Sequence, residues 1–123
     1  MSFGSPAADF AEVGLDLNQA LIRHRSSTYF ARMAGSALSG MGILDGDILI
    51  VDRALAARSE NLVVCTLNGE MLARRYRLKN DAAWLVTEEK EPTARRIRAE
   101  DEFSVWGVIT AVIRPLETLP CMC

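Results

Sequence analysis

Residues Ala34 to Asp52 read "AGSALSGMGILDGDILIVD". Gly35, Gly40, Gly42 and Gly46, with serines between them, mark the first part as a loop, since both residue types favour turns over helix or strand. "DGD" (Asp45–Asp47) follows as a turn, and "ILIVD" (Ile48–Asp52) has the unbroken apolar character of a buried strand. A glycine-bracketed loop feeding a buried strand is a layout suited to presenting a reactive side chain. The residue at its centre is Ala37, a methyl group.

The chain around this stretch reads mostly as β-structure. Upstream, "DLNQALIRH" opens on Asp16, a helix N-cap with Gln19 three residues later, and predicts one short helix carrying Leu17, Ala20 and Leu21 on a common face. "STYFARM" has strand-like aromatic and β-branched content. Downstream, "NLVVCTL" and "MLARRYRL" are two strands joined by a hairpin turn at "NGE". "KND" turns the chain into "AAWLVTE", Pro92 interrupts it, and "ARRIRAE" follows. "EFSVWGVITAVIRPL" is a long apolar strand in which Gly107 signals a bulge or bend. Seven or so short strands with little helix predict a compact β sandwich or barrel. The expected organisation is an extended arm over 1–14, one domain over 15–115 and a tail over 116–123.

Bulk properties narrow the function. A chain of 123 residues, 50% hydrophobic and 24% charged, fits one globular domain and excludes a disordered chain. The net charge of −2 gives no whole-chain footprint for nucleic acid, so work near DNA is expected through a protein partner, without direct sequence-specific binding. No apolar run spans a bilayer, and "MSFGSPAADF" lacks the make-up of a secretory signal, so the expected location is cytoplasmic with no membrane contact. Of the three cysteines, Cys65 lies in an apolar run as a small buried hydrophobe, while Cys121 and Cys123 sit in the terminal "CMC". No metal-ligand set, phosphate loop or paired catalytic carboxylates are present, and no cofactor is expected.

Taken together, "SPAAD" (Ser5–Asp9), "DLNQ" with the following "LI" and His24, "TYF" after a serine pair, "DGD" with "LIVD", and the closing "FSVWGVITAVI" resemble the LexA/UmuD family of self-cleaving serine peptidases. The resemblance runs from about Ser5 to Arg114. It lies nearer the UmuD branch, because LexA-type repressors lack the "SPAAD…DLNQ" opening. It implies a LexA/UmuD-type β fold. It also implies a serine–lysine mechanism that cuts the protein's own N-terminal arm under stimulation by the RecA filament on single-stranded DNA. In the family the serine lies in a loop of the form G-(D/S)-S-M and the lysine on a later strand within E-F-T-V-K. Gly35 and Ser36 match the residues before the nucleophile, Ala37 falls on the nucleophile and Leu38 on the methionine. On the later strand Glu70 matches, Met71 replaces phenylalanine, and Arg74 falls on the general base.

Each change removes a chemical necessity. Alanine has no hydroxyl from which an acyl intermediate can form. The lysine base works by giving up its proton when buried, whereas a guanidinium stays protonated in proteins. Ser36 and Ser39 flank the site, but a nucleophile needs a base within hydrogen-bond reach. The lysines are Lys79 and Lys90, and Lys79 would project from the face opposite Arg74 on a continuous strand. His24 matches a helix-end position and is expected at the helix C-terminus.

The expected function is therefore that of a catalytically silent, UmuD′-like accessory subunit of an error-prone translesion DNA polymerase in the SOS response. It would act as a homodimer joined to a UmuC-type Y-family polymerase and the RecA filament. No Cys-Gly or Ala-Gly bond precedes Gly4, which fits the form left after arm removal. Two alternatives stay open: a self-cleaving peptidase whose dyad was deliberately substituted, and a decoy subunit that pairs with an active UmuD- or LexA-type protein. The dimer is expected at exposed strand edges, with Phe103–Ile113 as the strand. "RRYR" and "ARRIR" are basic spots of a kind that touch DNA phosphate, but with acidic groups close by in sequence the expectation is a charge-balanced surface, and Trp106 is expected in the core or a dimer seam.

Overall fold

A computed structural model describes residues 16–117. The arm expected over 1–14 and most of the tail expected over 116–123 lie outside the described residues.

Asp16 caps the helix α1 (Leu17–Leu21) by accepting a 2.9 Å hydrogen bond from the Asn18 N–H. Seven strands follow: β1 (Thr28–Arg32), β2 (Ile48–Asp52), β3 (Leu62–Leu67), β4 (Glu70–Lys79), β5 (Ala82–Val86), β6 (Ala94–Arg96) and β7 (Phe103–Ile113). The fold class is thus mostly β with one short helix, as the sequence predicts. The strands form one antiparallel sheet in the order β1-β2-β7-β3-β4-β5-β6, not two separate sheets or a closed barrel. Asn68 and Gly69, both at positive φ, close the β3–β4 hairpin, and Asn80 and Asp81 close β4–β5 in the same way. This is the backbone that two-residue hairpin turns require.

β7 carries two bulges, and both faces of the sheet bury apolar groups. Val64 pairs with Gly107 and Cys65 with Val105, which leaves Trp106 as the extra residue. Ile50 pairs with Ala111 and Val51 with Ile109, which leaves Thr110. A Cβ on Gly107 would lie 2.6 Å from Val51 Cγ1 and 3.0 Å from the Asp52 carbonyl oxygen, so only glycine lets β7 approach β2 this closely. One core cluster joins Met33, Ala37, Leu38, Ile43, Leu49, Val51, Val64 and Ile109. The other joins Val63, Cys65, Leu67, Leu85 and Val108. Among the described residues no helix is long and apolar enough to cross a membrane.

The structure corrects three expectations. His24 does not cap the helix: its Nδ1 lies 2.6 Å from the buried Asp52 carboxylate at the end of β2. Of the two places expected for Trp106 the core is excluded: lifted out by its bulge, it is 38% exposed, with the Arg53 guanidinium 5.1 Å from its ring and its N–H donating to Thr66. Finally, β7 is an interior strand, and the outer edges of the sheet are β1 and β6. Even so, β7 pairs with β3 through Phe103–Val108 and with β2 through Val108–Ile113, so each half keeps one edge without a strand partner among the described residues.

Candidate functional site

The loop between β1 and β2 is fixed at its base by backbone bonds between Met33 and the "DGD" turn: Met33 N–H to the Asp47 carbonyl at 2.8 Å and Gly46 N–H to the Met33 carbonyl at 2.7 Å. Asp45 accepts from the Gly35 N–H at 2.7 Å, and Asp47 accepts from the Leu44 N–H at 2.8 Å. Gly35 and Gly46 take positive φ, the left-handed backbone that glycine adopts without a Cβ clash. Buried Asp47 also receives Arg114 from the end of β7, through Nε at 2.7 Å and Nη2 at 2.6 Å. Nη2 reaches the Gly42 carbonyl as well, at 2.6 Å. Hydrogen bonds from Arg114 hold the Asp47 carboxyl below its ordinary range, against the opposing effect of burial.

A second clamp comes from the end of β5. Glu88 N–H donates to the Ala37 carbonyl at 2.7 Å, and the Glu88 carbonyl accepts from the Gly40 N–H at 2.5 Å. A Cβ at Gly40 would collide with that carbonyl, so the turn Ala37–Gly40 lies against backbone. The Glu88 carboxylate pairs with Arg75, whose other nitrogens reach the Glu60 carbonyl and the Met41 sulfur. Ser36 donates to Glu89 at 2.8 Å. Leu38 is fully buried and anchors the turn in the core.

Ala37 is 9% exposed, and its methyl belongs to the core cluster against which Ala73 packs. Arg74 is half-buried on β4, stands opposite Val63, and donates Nη1 to the Ala73 carbonyl at 2.8 Å. It borders a cleft of about 260 Å³ whose walls include Met33, Ala34, Leu49, Met71 and Ala73. The loop around Gly35, Ser36 and Leu38 is therefore built to hold residue 37 rigidly, and residue 37 offers no attacking atom. Lys79 ends the same continuous strand. Sequence reasoning missed Glu88 and the Asp47–Arg114 pair, because backbone clamps and pairs 67 residues apart leave no local signal. Among the described residues no cluster of His, Cys, Asp and Glu is arranged to hold a metal ion.

Comparison with known proteins agrees with this architecture. The model of the peptidase S24-like family matches residues 1–110. Protein SamA of Salmonella typhimurium is 36% identical over 111 residues, covering 90% of this chain and 76% of the relative. Protein MucA of Escherichia coli is 32% identical over 108 residues, covering 88% and 74%. LexA repressor 1 of Pseudomonas syringae pv. tomato is 30% identical over 92 residues, covering 74% and 46%. The family model spans most of the chain, and the chain belongs to the peptidase S24-like family.

Proposed function

We propose that this chain is a catalytically silent, UmuD′-like accessory subunit of an error-prone translesion polymerase in the SOS response. The observation that carries the reading is a well-held nucleophile loop with alanine at position 37, together with arginine at position 74. A rigid loop with a methyl at its centre serves a scaffold, and a permanent cation cannot replace a base that must lose its proton. Family membership and the likeness to SamA and MucA support the SOS setting.

In this reading the protein works in the cytoplasm as a homodimer. The open edge of β7 over Ile109–Ile113 is its contact strand, since an unpaired edge seeks a partner. A UmuC-type Y-family polymerase and the RecA filament are its larger partners. The test is incubation with RecA, single-stranded DNA and ATP, followed by intact mass, alongside primer extension past a lesion with the polymerase. Unchanged mass and enhanced bypass are expected. A new fragment would overturn the silent reading, and bypass indifferent to the protein would overturn the accessory role. Ala37→Ser combined with Arg74→Lys asks separately whether the rest of the site still supports cleavage of an armed partner.

A further inference from the structure

The face of the β4–β5–β6 end that turns away from the Tyr76–Leu85 core carries a cross-strand row of a different character. Trp84 stands directly opposite Arg77 on β4 and directly opposite Arg96 on β6. Directly opposed residues share one sheet face. Lys79 lies two residues along from Arg77 on that face, and Arg77, Lys79, Trp84, Val86 and Ala94 line a cleft of about 240 Å³. That volume is below the range of drug-sized pockets and suits one planar group.

Charge and ring access say what the planar group carries. Arg77 is paired with Glu60 through two bonds of 2.7 and 3.0 Å, which holds it in place beside the tryptophan. Among the described residues neither Lys79 nor Arg96 has a carboxylate partner. The cation found over an aromatic ring among the described residues is Arg53 over Trp106, so no guanidinium caps Trp84. An indole open to a cleft and flanked by unpaired cations complements an anionic polymer with flat faces. An acidic peptide would satisfy the cations but leave the ring unused.

We propose that this face is a sequence-independent binding site for single-stranded DNA, with one base stacked on Trp84 and backbone phosphates on Lys79 and Arg96. Stacking plus a few phosphate contacts is the general mode of single-strand binding, and it gives weak, salt-sensitive affinity. The whole-chain charge of −2 keeps it weak. The site is independent of the polymerase reading and is tested without any polymerase.

The experiment titrates the full chain, in a Trp106→Phe background that leaves Trp84 as the sole indole, into a fluorescein-labelled dT oligomer of about 15 nucleotides. Expected are a rise in anisotropy at low salt with quenching of Trp84 emission, and a slope of log K on log salt of about −1.4 for two phosphate contacts. Lys79→Glu with Arg96→Glu should weaken binding at least about tenfold with unchanged melting, and Trp84→Leu by a similar factor. Should Trp84→Leu fail to fold, the charge-reversal pair and the quenching still decide. No anisotropy change at low salt would overturn the proposal, and so would binding indifferent to the charge reversals. Polyglutamate competing as well as dT, without quenching of Trp84, would make this an acidic-peptide surface instead.

Discussion

Arg114 and Asp47 join parts of the chain 67 residues apart: a guanidinium just past the last strand grips, in two bonds of 2.7 and 2.6 Å, a carboxylate that is 2% exposed in the loop between β1 and β2. The same carboxylate caps Leu44, and the same guanidinium reaches Gly42. One ion pair thus sets the position of the loop that carries Ala37 relative to the sheet.

Asp47→Asn keeps the volume but loses the charge assistance in these bonds, and should lower stability by about 2 kcal/mol. The sign with pH follows from the lowered native pKa of Asp47. Its contribution is fully present above the ordinary carboxylate range of about 4, and it is lost as pH falls through the native value. Urea unfolding at a series of pH values checks both. The wild type should lose stability on acidification more steeply than Asp47→Asn, and parallel curves would remove Asp47 from the account.

His24 and Asp52 are a second long-range pair, 28 residues apart. Burial disfavours the Asp52 charge, but hydrogen bonds from His24 and from the Ala54 N–H outweigh it, and the native pKa is lowered. His24→Ala leaves a buried carboxylate with one donor fewer, at a cost of about 1–2 kcal/mol. It also unties the segment that precedes β1, so amide exchange in β1 should accelerate more than exchange in β4. Equal acceleration throughout the sheet would show that the pair supports global stability and not that edge.

Local chemistry made part of this fold legible in the sequence. Asn68-Gly69 announces its hairpin because few other dipeptides accept positive φ twice, and Gly107 in an apolar run announces close strand approach. The loop at Ala37 was legible from its glycines and the "DGD" turn. His24 was misplaced because helix-end histidines usually serve the helix, and nothing near it in sequence names Asp52. The core half of the Trp106 expectation failed because the bulge that turns it outward arises in the pairing of β7 with β3, a strand distant in sequence. The clamp from Glu88 uses its peptide group, which every residue carries, so side-chain identity could not reveal it.

Gly107→Ala tests the bulge. The added methyl meets Val51 Cγ1 at 2.6 Å and Asp52 backbone at 3.0 Å, at the centre of the sheet where neither can retreat. Overpacking of this kind costs about 1–3 kcal/mol. A melting temperature lowered by several degrees is expected, and an unchanged one would mean that β2 and β7 can separate without penalty.

Cys65 supplies the last test, because it reads the interior beside Arg74. Burial pushes its thiol up to about 11, and the nearby Arg74 charge only partly offsets this. A thiol reacts as its thiolate, so at pH 8 roughly one Cys65 in a thousand is in the reactive form, and its sulfur is enclosed as well. Iodoacetamide followed by peptide mapping should leave Cys65 unmodified in the native protein and alkylate it fully in urea. Arg74→Ala removes the offsetting charge and makes the thiolate rarer still, so native Cys65 should stay unmodified in that variant too. Faster alkylation in that variant would show instead that the arginine seals this part of the core, a packing role carried by its alkyl stem.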